Sequence, residues 1–530
     1  MARLLHELIL EQAGRRPDAT AITHRHSHWD YAALASQIQA VGRGLRALGL
    51  NRADRVAVYL PKRPETVAAL FGAALAGGVF VPINPLLKPE QVAYILRDCN
   101  VRILVTARDR ATLLEPALAV CSDLHTLIVV DAAGPALQRS RHWQVRGWSA
   151  LLDTAQGPEP ARIIDADMAA ILYTSGSTGK PKGVVLSHRN LLAGAHSVAE
   201  YLGNQPDDRI LAVLPFSFDY GLSQLTTAFI AGARAVLMDY LLPRDVINTV
   251  ARERITGLAA VPPMWVQLAA LEWPAAAAAS LRYLTNSGGA MPRATLAALR
   301  RALPNTTLYL MYGLTEAFRS TYLPPEEIDR RPDSIGKAIP NAEILVVRED
   351  GTPCAPGEPG ELVHRGSLVA LGYWNDPVKT TERFRPAPGQ NPGLPLPELA
   401  VWSGDTARMD EEGFLYFIGR KDDMIKTSGY RVSPTEVEEV LYSSSQVAEA
   451  AALGISHPAL GQAIVAVIKP LRETFSESTL IAHCKQHLPN FMVPLRIIAR
   501  ASDLPRNPNG KIDRKALVEE LRALFPESPP

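Results

Sequence analysis

The chain has 530 residues, and 55 Lys and Arg against 54 Asp and Glu leave a formal net charge of +1. This length predicts about three or four structural units, and a hydrophobic share of 47% excludes an intrinsically disordered chain. A charge so close to zero provides no field that would attract nucleic acid or an anionic membrane surface.

The first four hundred residues show β-rich runs that alternate with stretches of helical period. Apolar residues recur at helical spacing over residues 4–9 and 31–48. The β-rich runs are residues 55–60, 101–106 and 124–130. A similar series follows over residues 209–310, where the alanine run 275–279 favours helix. Strands that alternate with helices predict parallel sheets in an α/β fold.

Residues 67–83 carry no charge and are the strongest candidate for a membrane span. They contain Gly77 and Gly78 followed by a short apolar run, which favours a buried helix, a glycine turn and a buried strand instead. The first ten residues lack the apolar core of a signal peptide because His6 and Glu7 interrupt it. The cysteines form no C-x-x-C pair, which excludes a cysteine zinc site and predicts a reducing compartment, the cytoplasm; they are Cys99, Cys121, Cys354 and Cys484.

The pattern of residue types changes near residue 335, where short β-rich runs with turn signals predict a small β-rich subdomain that extends to about residue 420. Within it, residues 385–398 hold five prolines and two glycines and are typical of an exposed loop. A polar segment then precedes a fresh α/β series. Residues 433–436, Ser-Pro-Thr-Glu, predict a capping box at the start of a helix.

We therefore expect two domains. The N-terminal one covers residues 1–420, and a smaller C-terminal one covers residues 421–530, with the hinge at residues 421–422.

A glycine-rich segment with two lysines follows an apolar run over residues 171–184. Its candidate nucleotide-binding residues are Thr174, Ser175, Gly176, Ser177, Thr178, Gly179, Lys180 and Lys182. Small residues let backbone N–H groups approach a phosphate, and the lysines add positive charge. A P-loop fails on spacing, because Thr174 occupies its first glycine position and Pro181 follows Lys180. A flexible surface loop is the alternative interpretation.

Residues 173–183 resemble the signature of the adenylate-forming superfamily of acyl-CoA synthetases, luciferases and amino-acid adenylation domains. Further motifs of that superfamily follow in order over residues 75–83, 312–316, 360–362, 372–374, 403–405, 419–420 and 509–511. The resemblance extends from about residue 29 to residue 514. Within the superfamily, the sequence is most similar to the exosortase A system-associated AMP-forming ligases, followed by stand-alone ligases that load prolyl groups onto carrier proteins.

The resemblance implies a fold and a reaction. The fold is a large domain of two α/β sheet subdomains and a small distorted β-barrel, followed by a small, mobile α/β domain. In the reaction, a carboxylate and Mg²⁺-ATP give an acyl-adenylate and pyrophosphate. The acyl group then passes to the thiol of CoA or of a carrier protein's phosphopantetheine.

The resemblance also assigns roles to residues. Glu316 supplies a carboxylate oxygen for Mg²⁺, and Thr315 holds the α-phosphate or the substrate carboxylate. Lys511 neutralises the charge that grows between the carboxylate and the α-phosphate. The remaining assignments are Asp405 and Arg420 for the ribose, Gly288, Gly289 and Ala290 along the adenine, Tyr312 and Gly313 at the nucleotide, Asp422 at the hinge, and Gly429 in the pantetheine tunnel.

The expected substrate pocket departs from that of many acyl-CoA synthetases; its residues are Phe218, Asp219, Ser223, Met311 and Arg319. Phe218 stands where those enzymes have a histidine. Phe218-Asp219 resembles amino-acid adenylation domains, in which the aspartate pairs with the substrate's α-ammonium group. Asp219 could instead cap or turn its loop. One hypothesis is that Arg319 binds a second acidic group of the substrate. The expected alternative is that Arg319 faces solvent and pairs with Glu326 or Glu327.

The sequence thus predicts an ATP-dependent ligase for a small carboxylic acid, expected to be an amino acid. A fatty or aromatic acid without amine recognition is the alternative substrate. The basic residues 496–515 fit either acceptor, the 3′-phosphate of CoA or an acidic carrier-protein helix. Histidine spacing indicates no metal site, and no basic and aromatic cluster indicates nucleic-acid binding.

Overall fold

The computed structural model describes residues 2–131, 143–154, 162–174, 181–391, 393–420, 424–427, 430–457, 460–472, 475–488, 490–508 and 510–525. The strands, in chain order, are β1 (Thr20–His24), β2 (Ser27–Asp30), β3 (Arg55–Tyr59), β4 (Val79–Pro82), β5 (Val101–Thr106), β6 (Thr126–Val129), β7 (Gln144–Gly147), β8 (Met168–Thr174), β9 (Lys182–Ser187), β10 (Arg209–Ala212), β11 (Arg234–Leu237), β12 (Gly257–Ala260), β13 (Tyr283–Asn286), β14 (Thr307–Tyr312), β15 (Thr321–Leu323), β16 (Ser334–Ala338), β17 (Ala342–Val347), β18 (Gly360–Gly366), β19 (Gly372–Tyr373), β20 (Phe384–Pro386), β21 (Leu399–Met409), β22 (Leu415–Arg420), β23 (Ile425–Thr427), β24 (Tyr430–Val432), β25 (Val447–His457), β26 (Gly461–Pro470) and β27 (Arg496–Ala499).

The α-helices are α1 (Glu7–Arg15), α2 (Tyr31–Ala47), α3 (Pro64–Leu75), α4 (Pro89–Asp98), α5 (Arg108–Leu118), α6 (Trp148–Leu152), α7 (His188–Leu202), α8 (Asp219–Ala231), α9 (Pro243–Glu253), α10 (Pro262–Ala269), α11 (Ala275–Ser280), α12 (Arg293–Ala302), α13 (Pro377–Arg383), α14 (Pro434–Ser443), α15 (Glu477–His487) and α16 (Arg514–Glu520). Short 3₁₀ helices cover Thr315–Ala317, Pro325–Glu327 and Asn490–Met492.

The described strands form three sheets. The largest runs in the order β17-β18-β21-β22-β16-β15-β14-β13-β12-β10-β11-β1-β2, with β20 on β21. Its strands from β14 to β1 are parallel, whereas β15, β16, β22, β21, β18 and β17 pair antiparallel in that order. All of these antiparallel strands except β15 overlap the region 335–420, where the sequence predicts a β-rich subdomain. The second sheet runs β19-β9-β8-β4-β3-β5-β6-β7, and the third runs β24-β23-β26-β25 with β27 on β26. The mixed α/β prediction is confirmed.

The largest apolar core lies where the first two sheets share their helices. Buried side chains from both sheets, such as Ile22 and Leu172, meet Phe71 of α3 and Phe229 of α8 there. The rings of Phe71 and Phe229 pack edge to face with their centroids 5.4 Å apart. Separate cores bury the third sheet against its own helices, as expected of a smaller C-terminal domain.

Residues 67–83 fold as the sequence indicates. Helix α3 ends at Leu75, Gly77 turns the chain with φ of +84°, and β4 begins at Val79, buried along its length. A positive φ is where glycine is favoured over any residue with a Cβ. Among the described residues, we find no helix that is both long and apolar enough to cross a membrane.

One local prediction holds except at its start, and another is wrong. The exposed loop expected over residues 385–398 is present in the described residues after 386, but residues 385–386 belong to β20, which pairs with β21, and the Arg385 guanidinium lies 3.7 Å from the centre of the Trp402 ring. Helix α14 does begin at Pro434, but the Ser433 hydroxyl is buried and has no hydrogen-bond partner among the described residues. The predicted capping box is therefore not formed.

Candidate active site

Three parallel strands of the largest sheet end at the same edge: β10, β13 and β14, with β12 between β10 and β13. They end at Ala212, Asn286 and Tyr312, and the segments that leave them carry many of the predicted site residues. Ligands of open parallel sheets bind at the carboxyl ends of the strands. The topology therefore brings together residues that lie far apart in the sequence.

Asp219 is the first residue of α8 and is only 2% exposed. A Cβ added to Gly221 would lie 2.0 Å from the Pro215 carbonyl oxygen, so this helix begins in close contact with the loop before it. Asp219 Oδ1 accepts a hydrogen bond from Thr315 Oγ1 at 3.1 Å. Burial raises the pKa of Asp219 above its ordinary value, although the positive charges of Arg319 and Lys511 oppose this shift.

Arg319 does not face solvent. Its side chain is buried, with Nη1 4.0 Å from Asp219 Oδ2 and 3.4 Å from the Ser287 hydroxyl. The expected pairing with Glu326 or Glu327 is therefore wrong. The sequence spacing suggested a surface partner, but the chain turns inward between the 3₁₀ helix and β15.

The inward turn has an unusual backbone at Phe318. Its φ of +57° and ψ of −56°, with an Arg319 N–H to Ala317 carbonyl bond of 2.6 Å, define a γ-turn of the strained, positive-φ type. The Phe318 ring is buried against α7, where a Cβ added to Gly194 would lie 2.4 Å from ring atom Cδ1. This packing holds the turn that directs Arg319 into the protein.

We expect Gly194→Ala to lower the free energy of unfolding by about 1–3 kcal/mol, because the added methyl overpacks the Phe318 ring. The matched control is Gly14→Ala in α1, where an added Cβ meets nothing within 4 Å. It should raise stability by about 0.5–1 kcal/mol, the usual gain for alanine over glycine in a helix. Thermal and denaturant unfolding measure both, and equal effects of the two substitutions would contradict the packing account.

Glu316 lies in the 3₁₀ helix and is held by Tyr373, whose hydroxyl donates to Glu316 Oε1 at 2.5 Å. Lys182 Nζ lies 5.2 Å from the centre of the Tyr373 ring. Burial lowers the pKa of Lys182, and nearby positive charges lower it further. Thr174 pairs with Lys182 across β8 and β9. The predicted residues Ser175, Gly176, Ser177, Thr178, Gly179 and Lys180 lie outside the described residues.

Asp405 lies on β21 beside Arg420 of β22. Its Oδ2 accepts a 2.5 Å hydrogen bond from the Tyr312 hydroxyl, and its Oδ1 lies 3.3 Å from Arg420 Nε. Oδ1 is buried and accepts no well-aligned hydrogen bond from the described part of the chain. Burial raises the pKa of Asp405, against the charge of Arg420. The Asp405 carboxylate therefore keeps unused acceptor positions, and its contact with both ribose hydroxyls stays a prediction.

Lys511 reaches this edge from the C-terminal region. Its Nζ lies 5.7 Å from the centre of the Phe218 ring, and its Cε would be 3.1 Å from a Cβ placed on Gly288. Gly288 has a φ of +83°, and a Cβ on Gly289 would lie 3.1 Å from Pro262. Because neither glycine has a side chain, the Lys511 side chain can occupy the space beside this loop. Ala290 follows them in the same loop.

The ammonium of Lys511 is surrounded by charge. Burial lowers its pKa, and Arg420 lowers it further, while the carboxylates of Asp219, Asp405 and Glu316 act in the opposite direction. Part of the residue's surface remains exposed, but the environment of Nζ is crowded. Lys511 thus lies within the electrostatic influence of all three carboxylates.

Two contacts fix the C-terminal region in this position. Asn84 Nδ2 donates to the Pro508 carbonyl, and the Arg293 backbone N–H donates to Glu439 Oε1 at 3.1 Å. Because Asn84 and Arg293 belong to the large domain, the C-terminal domain is docked with Lys511 inside the site.

Three further predicted residues pack beside the centre of the site. Met311 Sδ accepts a 2.9 Å hydrogen bond from the Tyr201 hydroxyl, and Ser223 Oγ lies 3.5 Å from Thr227 Oγ1. Gly313 lies against Arg319, since an added Cβ would be 3.1 Å from its Cα. The predicted hinge residue Asp422 and tunnel residue Gly429 lie outside the described residues.

Sequence reasoning missed Tyr373 and Arg383 as site residues. Tyr373 lies within the motif over residues 372–374, Gly-Tyr-Trp, so a signal was present. Arg383 donates to the Trp402 carbonyl at 2.8 Å, and its charge acts on Glu316 and Asp405. Arg383 carried no sequence signal that separates it from an ordinary polar residue, whereas Ser287 begins the segment 287–290 that resembles the one lying along the adenine.

The basic segment 496–515 is largely neutralised in the fold. Each of its arginines has a carboxylate partner: Arg496 with Glu477, Arg500 with Glu520, Arg506 with Glu449, and Arg514 with Glu438. The arginine charge of this segment, which the sequence predicts as a basic surface for the thiol acceptor, is therefore paired within the protein.

Comparison with known families decides the class. The AMP-binding enzyme family matches residues 9–374, and the AMP-binding enzyme C-terminal domain matches residues 436–511. The chain belongs to the AMP-binding enzyme family. It is an AMP-forming ligase of the adenylate-forming class, as its motifs predict.

Its curated relatives fall into several groups. An L-proline–[L-prolyl-carrier protein] ligase of Pseudomonas fluorescens is 31% identical, with 98% of this chain and 99% of the relative covered. A long-chain-fatty-acid–CoA ligase of Salmonella typhimurium is 29% identical, with 98% and 94% covered. One of the linear gramicidin synthase proteins of Brevibacillus parabrevis is 29% identical over 97% of this chain, which spans only 10% of that protein.

Solved structures give the same class. The anthranilate CoA ligase AuaEII in complex with anthranoyl-AMP matches with a TM-score of 0.87 and 25% identity, covering 98% of this chain and 97% of that one. A benzoate CoA ligase from Burkholderia xenovorans LB400 matches with a TM-score of 0.85 and 26% identity, covering 98% and 100%.

Proposed function

We propose that this ligase activates a small amino acid as its acyl-adenylate, with release of pyrophosphate. It then transfers the acyl group to the pantetheine thiol of a carrier protein or of CoA. The large domain, residues 1–420, binds the substrates. The C-terminal domain, residues 421–530, moves about a hinge at Asp422 between the two half-reactions.

The observation that carries this proposal is the buried carboxylate of Asp219. A carboxylate accepts about four hydrogen bonds, yet Asp219 accepts a single one, from Thr315, among the described residues. Arg319 Nη1, at 4.0 Å, is too distant for a hydrogen bond. A desolvated carboxylate with spare acceptor capacity fits a substrate ammonium group, which supplies both donors and the opposite charge.

The remaining groups fit the adenylation step. Lys511 would neutralise the carboxylate oxygen and the α-phosphate as they approach. Thr315 lies next to both Asp219 and Glu316 and would orient the carboxylate or the α-phosphate. Asp405 Oδ1, which lacks a hydrogen-bond donor among the described residues, would accept from a ribose hydroxyl. After adenylation, withdrawal of Lys511 would admit the pantetheine arm past Gly429.

The donor set also fits Mg²⁺ bound with ATP. Glu316 Oε1 accepts from Tyr373, while Oε2 accepts no hydrogen bond from the described residues and is available as a hard oxygen ligand. Mg²⁺ in nucleotide sites is usually held by one or two carboxylates together with phosphate oxygens and water. The cation supplies charge neutralisation of the phosphates when bound; Glu316 holds it, and Tyr373 orients Glu316.

We expect Tyr373→Phe to weaken the apparent Mg²⁺ affinity by about 10- to 100-fold, the usual cost of removing a group that orients a metal ligand. The measurement is the Mg²⁺ dependence of ATP–pyrophosphate exchange. Tyr416→Phe is the matched control, because its hydroxyl also bonds a carboxylate, that of Asp410, outside the site. An unchanged Mg²⁺ dependence in Tyr373→Phe would contradict the assignment of Glu316.

The identity of the thiol acceptor is part of the proposal. A carrier protein is favoured by the similarity to the prolyl-carrier protein ligase over nearly its whole length. The likeness to exosortase-associated ligases stays a prediction. All four cysteines are free thiols, which fits a reducing compartment and the proposed cytoplasmic location.

A second candidate substrate is a fatty or aromatic acid that needs no amine recognition. The rings of Phe218 and Tyr220 pack edge to face beside Asp219, with centroids 6.1 Å apart, and could face an aromatic acid. The similar anthranilate and benzoate ligases favour the aromatic case.

ATP–pyrophosphate exchange with matched pairs of acids tests both candidate substrate classes. The panel pairs L-proline with cyclopentanecarboxylate and L-alanine with propionate, and adds benzoate and octanoate. Faster exchange with the amino member of each pair supports the proposal. Faster exchange with acids that lack the amine refutes it.

A further inference from the structure

Among the described residues, one edge of the Arg319 guanidinium has no hydrogen-bond acceptor. Nε and Nη2 are buried, and neither finds a hydrogen-bond partner among the residues that the structure describes. The remaining nitrogen, Nη1, faces the Ser287 hydroxyl at 3.4 Å and Asp219 at 4.0 Å. Arginine side chains stay protonated in proteins, so both N–H groups remain hydrogen-bond donors. Buried donors without an acceptor are rare in folded proteins and call for an explanation.

The free edge has a specific chemistry. Nε and Nη2 lie on the same side of the guanidinium and present two parallel N–H groups that match both oxygens of a carboxylate. The same chain uses this edge repeatedly to hold carboxylates. Examples are Arg189 with Asp165 (2.8 and 3.0 Å), Arg282 with Asp208 (2.9 and 2.6 Å) and Arg348 with Glu358 (2.7 and 2.5 Å).

Within the described part of the chain, the surroundings of Arg319 offer no substitute for that carboxylate. The guanidinium carbon lies 4.7 Å from the centre of the Tyr220 ring and 5.9 Å from that of Phe318. These rings give the cation an aromatic contact but no oxygen atom that could accept from Nε or Nη2. Asp219, the nearby anion, approaches Nη1, which lies off the free edge. A role as the internal counter-ion of Asp219 would therefore leave Nε and Nη2 unexplained.

We propose that the substrate carries a second carboxylate, whose two oxygens accept from Nε and Nη2 of Arg319. The inference rests on the proposed function, because Asp219 then binds the ammonium group of the same molecule. Each substrate charge meets its opposite, and the substrate class narrows to acidic amino acids. A neutral side chain would leave the buried N–H pair unsatisfied, so the site rejects it.

Calorimetric titration of the full chain tests the inference without requiring turnover. The ligands are two matched pairs, L-glutamate with L-glutamine and succinate with succinamate, which differ in one carboxylate against one amide. We expect wild-type protein to bind each dicarboxylate about 10- to 100-fold more tightly than its amide, the worth of hydrogen bonds to a charged group. Arg319→Met should abolish this preference. Arg319→Lys keeps the positive charge but lacks the two parallel N–H groups, and it should retain only part of the preference.

The control is Arg301→Met at the exposed end of α12, which should keep the wild-type preference. A preference between two matched ligands cannot arise from partial unfolding, because unfolding weakens both. Equal binding within the pairs, no binding of either dicarboxylate at millimolar concentration, or a preference that survives Arg319→Met would each overturn the inference.

ATP–pyrophosphate exchange with the same acids separates this inference from the proposed function. Exchange with neutral amino acids but with neither dicarboxylate overturns the role of Arg319 and leaves amino-acid activation standing. Exchange with no acid at all refutes the proposed function, while the calorimetric preference still decides whether Arg319 binds a carboxylate.

Discussion

Lys511→Ala is expected to reduce adenylate formation by about 1000-fold, since it removes the positive charge at the point where the carboxylate and α-phosphate react. The structure places Nζ beside Phe218 and Gly288, within the influence of Asp219, Asp405 and Glu316. ATP–pyrophosphate exchange measures the adenylation step. Transfer of the acyl group from a supplied acyl-adenylate to a pantetheine thiol measures the second step, which should keep most of its rate.

The difference between the two half-reactions is the critical result. If the C-terminal domain withdraws Lys511 before transfer, the variant loses one step and keeps the other. Equal loss of both steps would contradict the two-orientation proposal. The matched control is Lys515→Ala, which removes an exposed lysine four residues away and should affect neither step.

The alkaline pH dependence of adenylation gives a second measure of the same group. Burial lowers the pKa of Lys511, so its ammonium is present below that pKa and is lost as the pH rises through it. The alkaline decline should therefore begin below the ordinary lysine value of about 10.4. Transfer from a supplied adenylate should not show this decline.

The strands and helices of the large domain were predictable because their patterns are local. The runs over residues 55–60 and 101–106 are rich in β-branched residues and fold as β3 and β5, and residues 31–48 become α2. Ser433 shows the limit of such reasoning. Its sequence fits a capping box, but its hydroxyl lies near Gly419 of another strand and is buried away from the helix N–H groups.

Motifs identify residues that the fold brings together, but they do not give a side-chain direction that tertiary packing decides. Asp405 and Tyr312 come from separate motifs and are hydrogen-bonded to each other. Arg319 was assigned to solvent because two glutamates follow it closely in the sequence. Its burial depends on the turn at Phe318, which is held by Gly194 on a helix far earlier in the chain, and no local pattern reveals that contact.

Asp219→Asn is expected to reduce kcat/KM for amino acids by about 100-fold or more, because breaking one partner of a buried ion pair leaves the other charge unpaired. The acid without the amine should lose far less, since its binding does not use the carboxylate. ATP–pyrophosphate exchange measures this selectivity with L-glutamate against glutarate, which keeps the second carboxylate, and with L-proline against cyclopentanecarboxylate. Asp245→Asn is the control, as it makes the same change in the first turn of α9, away from the site.

The pH dependence separates an amine-binding Asp219 from one that only shapes its loop. Burial raises the pKa of Asp219, so in the empty site its ionised form is lost at a higher pH than the ordinary aspartate value of about 3.9. An ammonium ligand needs the ionised form, and KM for the amino acid should therefore begin to rise at that higher pH as the solution is acidified. The Asn variant has no carboxyl group to titrate and should lack this rise, whereas a purely structural Asp219 would give wild type and variant the same profile for both acids.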